Sequence, residues 1–159
     1  MNDRRKTKSS SASVVKPLAF WDSSALVPLV CFQSQSASAR QAARLHAQQI
    51  VWWGTSVEIT SAIHRLNREG YLTATEVKQS LQALDHMRRK WGEIQPSSEL
   101  REYAEHLLGR RKLRAADALQ LATALVWCDG KPRNHRFIVA DGDLAVAAEA
   151  EMFDVIRLS

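Results

Sequence analysis

Leu18-Ala19-Phe20-Trp21-Asp22-Ser23-Ser24 reads as a short buried strand that ends at a carboxylate. Four apolar residues suffice for a strand and are too few for a helix; Asp is a poor strand former, and the hydroxyl residues behind it suit a helix start. The same pattern returns at Arg136-Phe137-Ile138-Val139-Ala140-Asp141, and Ile50-Val51-Trp52-Trp53 is a further apolar run closed by Gly54. Glu93-Ile94-Gln95-Pro96 and Asp154-Val155-Ile156-Arg157 are weaker runs that bring the expected strands to five. Between them, Thr55-Ser56-Val57-Glu58 and Thr73-Ala74-Thr75-Glu76 have capping-box spacing. The first opens an apolar-periodic stretch to Leu66 that stops at Gly70, the second one to Trp91 that stops at Gly92. Further helices are expected over 97–108, ending near Gly109, over 115–127, ending near Gly130, and over 143–152. Continuously apolar strands alternating with helices predict an α/β fold, a three-layer α/β/α sandwich around a five-stranded parallel sheet. In such sheets ligands gather beyond the carboxyl ends of the strands, where strand order reverses.

With 159 residues, 45% of them hydrophobic and 25% charged, the chain can bury one ordinary core without staples. Cys31 and Cys128, far apart in sequence, read as buried thiols in a reducing, cytoplasmic setting rather than as a disulfide framework. The longest apolar run, Ala25 through Phe32, contains Pro28 and falls well short of the roughly 20 residues of a membrane span. Neither a span nor a secretory leader is therefore expected. The net charge of +5 is unevenly placed: residues 1–16 carry Arg4, Arg5, Lys6, Lys8 and Lys16 against Asp3, while residues 17–159 hold 17 basic and 16 acidic side chains. Residues 1–16, rich in Ser and poor in apolar side chains, are expected to be a disordered basic tail, and 17–159 the folded domain. Basic clusters at 88–90, 110–114 and 131–136 suit helix ends and also phosphate contact.

Asp22 and Asp141 fall at the ends of two expected strands, Glu58 in the first turn of the helix after another, and Asp117 near the start of an otherwise apolar helix. A sheet wound in the usual right-handed way brings these positions to one edge. Two carboxylates about 5 Å apart repel by roughly 3 kcal/mol at an effective dielectric of about 20, so either a proton or a divalent cation must join them. The five histidines have no metal-ligand spacing, and hard oxygen donors favour Mg²⁺ or Mn²⁺ over Zn²⁺. Such a site suits phosphodiester hydrolysis. Each acid also has a structural reading: Glu58 as partner of Thr55 in a capping box, Asp117 as a helix-start acid, Asp141 as a turn residue before Gly142, and Asp22 or Ser24 as a helix cap. Asp143 reads as a helix-start acid rather than a metal ligand, and Thr123 and the Trp52-Trp53 pair as core or packing residues, although an aromatic near a nuclease groove can stack on a base.

In order and spacing these pieces resemble the PIN-domain family, and within it the VapC-type ribonuclease toxins of toxin–antitoxin pairs. The resemblance rests on Phe20-Trp21-Asp22-Ser23-Ser24-Ala25-Leu26-Val27, on Trp53-Gly54-Thr55-Ser56-Val57-Glu58, on Arg114-Ala115-Ala116-Asp117-Ala118-Leu119-Gln120-Leu121-Ala122-Thr123-Ala124 and on Phe137-Ile138-Val139-Ala140-Asp141, and covers about 18–158. It implies a PIN-like fold and a Mg²⁺- or Mn²⁺-dependent endoribonuclease with an acidic site of Asp22, Glu58, Asp117 and Asp141. It also implies a hydrogen bond from Ser24 to a ligand carboxylate or metal-held water, an RNA substrate, a homodimer and a small cognate antitoxin. Ala140 departs from the pattern, since many members carry Ser or Thr before the last acid.

Three rivals frame that expectation. A phosphoacceptor signalling domain wants a second acid beside Asp22 and a Lys after the last strand, and an aspartyl-nucleophile phosphatase wants Asp where Ser24 stands; neither is present. A catalytically silent PIN-like module that binds protein or RNA would not need its acids intact.

Overall fold

Phe20 and Trp21 are neighbours in sequence and both fully buried, yet they belong to two different cores. Successive strand residues point to opposite faces, so a strand with no polar alternation must be covered on both sides. The computed structural model describes residues 17–159, and the tail expected over 1–16 lies outside the described residues. The elements run β1 (Leu18–Trp21), α1 (Ser23–Val30), α2 (Ser36–Leu45), β2 (Gln48–Trp52), α3 (Thr55–Arg68), α4 (Ala74–Arg88), β3 (Gly92–Ile94), α5 (Ser98–Arg110), α6 (Ala115–Trp127), β4 (Arg136–Val139), α7 (Gly142–Ala150) and β5 (Asp154–Arg157). The five strands form one sheet in the order β3-β2-β1-β4-β5, every pair parallel. Helices α1 to α4 cover the face bearing Ala19, Trp21, Val51 and Ile138; α5 to α7 cover the face bearing Phe20, Trp52, Phe137 and Val139. Phe20 stacks on Phe137 across β1 and β4 with ring centroids 5.2 Å apart. This is the expected three-layer α/β/α sandwich. Both cysteines are free and buried, and no described helix is long and apolar enough to cross a membrane.

Several boundaries move for local reasons. The capping box at Thr73 forms as expected, with Glu76 returning to the Thr73 backbone at 2.8 Å. The helix it opens ends at Arg88 rather than Trp91, and Gly92 opens β3 instead of stopping a helix. Gly92 sits opposite Ile50, and a Cβ there would lie 2.7 Å from the Ile50 Cδ1, the far end of that side chain. Gly109 lies inside α5, which continues to Arg110. The chain then turns away where Glu151 holds the Arg111 guanidinium at 2.8 Å. The last helix begins at Gly142, because Asp141 caps it, and ends at Ala150. Helix α2 has no expected counterpart. Its buried positions are the small residues Ser36, Ala39 and Ala42, and the Ser36 hydroxyl is fixed by donating to the Pro28 carbonyl at 2.7 Å.

Candidate active site

From β1 the sheet grows one way through β2 to β3 and the other way through β4 to β5, so the boundary between β1 and β4 is the switch point at which α/β sheets bind ligands. Asp22 stands there. Its N–H donates to the Ile138 carbonyl at 3.0 Å, continuing the ladder one step past the strand, and its side chain is only 3% exposed. Ser24 ties the two strand ends together. Its hydroxyl accepts from the Ala140 and Asp141 N–H groups, at 3.0 and 3.1 Å, and donates to Asp22 Oδ2, which also accepts the Ser24 N–H at 2.9 Å. Asp141 caps α7 through its Oδ1, which accepts from the Leu144 N–H at 2.8 Å.

Glu58 comes from one helical layer and Asp117 from the other. The capping box expected at Thr55 does not form: the cap position is Gly54, Thr55 is a buried first-turn residue, and no side chain caps α3. Glu58 is thereby free to turn inward. Its Oε2 accepts from the Ser23 hydroxyl at 2.6 Å and from Gln120 Nε2 at 2.9 Å. Gln120 is buried on α6, one turn beyond Asp117, and is the residue that sequence reasoning missed. A polar side chain three residues past an acid in an apolar helix is the signal that marks it. The Gln120 Oε1 is buried without a partner among the described residues. Gln120→Leu is accordingly expected to raise the Glu58 pKa further while changing stability by only about 1 kcal/mol, since an orphaned acceptor disappears along with a donor. NMR titration of the Glu58 carboxyl and a thermal melt check both.

The acids sense one another. Burial pushes the Asp22 carboxyl up from its ordinary 3.8 to about 7; hydrogen bonds from Ser24 oppose the shift, and the charges of Glu58 and Asp117 add to it. Burial likewise raises Glu58, against its bonds from Ser23 and Gln120 and with help from Asp117. Asp117 is raised by burial and then by Asp141, is drawn down by the backbone and guanidinium of Arg114, and also feels Asp143. Asp143 itself is exposed in the first turn of α7. The N-termini of α1, α3, α6 and α7 each carry one of the four acids as cap or first-turn residue, so the positive helix ends offset part of the repulsion.

Among the described residues, no group of three or more His, Cys, Asp or Glu side chains stands ready to hold a metal ion. The donor set nevertheless fits a water-rich hard cation. Asp22 Oδ1, Glu58 Oε1 and Asp141 Oδ2 take no hydrogen bond among the described residues, whereas the other oxygen of each is anchored by the protein. Mg²⁺ takes one or two carboxylates directly and keeps several waters. Asp22 and Asp141 therefore cap helices through one oxygen and leave the other open.

Comparison with family models and with curated proteins gives no match. Among solved structures, the chain is similar to one from a toxin-antitoxin complex of Klebsiella pneumoniae, 21% identical over 80% of this chain and 90% of that one, with a TM-score of 0.52. It is also similar to one from VapBC2 of Rickettsia felis bound to a DNA fragment from their promoter, 10% identical over 90% of this chain and 100% of that one, with a TM-score of 0.63. At these identities the likeness is one of fold, and the fold is PIN-like.

Proposed function

We propose that the chain is a Mg²⁺- or Mn²⁺-dependent endoribonuclease, the toxin component of a toxin–antitoxin pair. The observation that carries the reading is the placement of Asp22, almost wholly buried at the switch point, within electrostatic reach of Glu58 and Asp117. No Lys or Arg forms a salt bridge with any of the four acids among the described residues. Carboxylates collected in this way suit a hard cation as their counter-charge. Asp22, Asp117 and Asp141 would hold it, directly or through water. When bound, such an ion lowers the pKa of a coordinated water and neutralises phosphate charge. Glu58, held at Oε2 by Ser23 and Gln120, leaves Oε1 to position the attacking water or take its proton. Ser24 fixes the orientation of Asp22. The toxin reading, with a small cognate antitoxin, is supported by fold neighbours that come from toxin-antitoxin complexes, and a homodimer is part of the same proposal.

The absence of a preassembled three-ligand group among the described residues favours one alternative, a catalytically silent RNA- or protein-binding module. Two measurements separate the readings. The nuclease is expected to cut single-stranded RNA in Mg²⁺ or Mn²⁺, to stop in EDTA, and to give a saturable heat of Mn²⁺ binding by calorimetry. Intact RNA together with a silent Mn²⁺ titration would leave the module.

A further inference from the structure

We propose that the groove running from Trp53 between α3 and α4 seats single-stranded RNA, with one base stacked on the Trp53 indole and the flanking phosphates met by Arg88 and Arg68. The inference rests on the nuclease reading and names where its substrate lies.

Trp53 is the first residue past β2, at the same sheet edge as the acids, and is 50% exposed, whereas its neighbour Trp52 is buried. The pair expected to pack together is thus divided between core and surface. The Trp53 backbone is fixed by its N–H donating to the Ile94 carbonyl at 3.0 Å, and its ring meets Trp52 edge-on, with centroids 6.0 Å apart at 68°. Trp52 is itself buried, and Gly54 packs so close that a Cβ there would run into its indole nitrogen. A held aromatic ring with so much exposed surface is a stacking platform, and stacking serves any base.

The space beside the ring is a cavity of about 320 Å³ lined by Trp53, Ser56, Val57, Arg88 and Glu93. It shares Ser56, Val57 and Arg88 with a longer groove of about 590 Å³ that adds Thr60, Ser61, His64 and Arg68 and has no carboxylate in its lining. Arg88 pairs with Asp85 through Nε at 3.4 Å, and its terminal nitrogens donate no hydrogen bond among the described residues. Hydroxyls, an imidazole and guanidinium groups suit a phosphate backbone. The apolar lining of the longer groove is Val57 and Leu84, too little for the hydrophobic stripe of a partner helix. Glu93 borders the small cavity, with its oxygens occupied by Trp91 at 3.4 Å and Gln95 at 3.0 Å. Val57 directly precedes Glu58 on α3, so one helix carries both the groove and an acid.

The test uses the full chain carrying Asp22→Asn to prevent turnover and a fluorescein-labelled 12-nucleotide single-stranded RNA of mixed sequence, read by anisotropy. Adding Trp53→Ala is expected to weaken binding roughly ten- to a hundredfold, with Trp53→Phe retaining most of it. Adding Arg88→Gln is expected to flatten the plot of log affinity against log salt by about 0.7. Unchanged affinity in a natively melting Trp53→Ala protein would overturn the proposal. Should that variant melt early, the salt slope of Arg88→Gln decides alone, and an unchanged slope overturns it. Loss of binding to a cognate protein partner with RNA affinity intact would make the groove a protein interface instead. A chain that cleaves RNA with Trp53 and Arg88 silent fails only this inference, whereas one that neither cleaves nor binds RNA fails the nuclease reading.

Discussion

Asp22→Asn is expected to lower metal-dependent RNA cleavage by roughly a hundred- to a thousandfold and, in the same molecule, to stabilise the fold at pH 8. The two effects have one cause. Asp22 has a native pKa near 7 against an ordinary 3.8, chiefly because burial disfavours its charge. Between those values the folded chain holds a proton that the unfolded chain has lost, so stability falls as pH rises. The contribution is fully present below about pH 4 and is gone once pH has passed through 7. At about 1.4 kcal/mol for each tenfold, the whole difference is roughly 4 kcal/mol. Asn cannot ionise, so the metal-free variant should lose most of this slope and exceed the parent by about 2–4 kcal/mol at pH 8. Added Mn²⁺ should stabilise the parent and leave the variant unmoved. Asp117→Asn should reduce cleavage comparably with less effect on stability, because Asp117 is only half-buried. Melts in EDTA at pH 5 and pH 8, beside cleavage rates in Mg²⁺, test the coupling. A variant no more stable than the parent at pH 8, or one that still cleaves at the parental rate, would break it.

The layered fold was legible because burial on both faces removes polar alternation from β1 and β4, and because Asp, a poor strand former, marks the end of each run. The acids were legible as positions, since Asp22 and Asp141 follow central strands and Asp117 interrupts an apolar helix. What stayed hidden depends on contacts between distant segments. Glu58 looked like the partner of Thr55, yet a carboxylate within reach of Ser23, 35 residues away, and of Gln120, 62 residues away, turns inward instead. Local spacing cannot register that competition. Helix α2 buries only the small side chains of Ser36, Ala39 and Ala42, so no large apolar residue on its buried face announces it. Trp53 looked like core because it is aromatic and next to Trp52, and only the end of β2 at Trp52 shows which ring turns out. Asp22 and Asp141 each cap a helix through one oxygen and leave the other open, so a structural role for either acid does not by itself exclude the proposed one.

Ser24→Ala should be the most damaging loss of a single hydroxyl in the molecule. That oxygen accepts from two N–H groups on the far strand connection and gives its own proton to Asp22, so every hydrogen-bonding capacity it has is in use. Alanine leaves the half-buried Ala140 N–H without its acceptor and Asp22 with only the backbone N–H of residue 24; water can reach the exposed Asp141 N–H. A cost of about 2 kcal/mol is expected from the stranded groups. The electrostatic consequence is separable from the mechanical one. The Ser24 hydroxyl lowers the Asp22 pKa, so its removal should drive that pKa further up. Because Asp22 must be ionised to serve a cation, the acidic limb of the cleavage profile should move to higher pH, while rates well above it recover toward the parent. Ser24→Thr, which restores the hydroxyl, should return the limb to its original position. If Ser24 merely joined the two strand ends, Ser24→Ala would lower the melting temperature and scale the rate equally at every pH, so a limb that does not move would remove Ser24 from the control of Asp22.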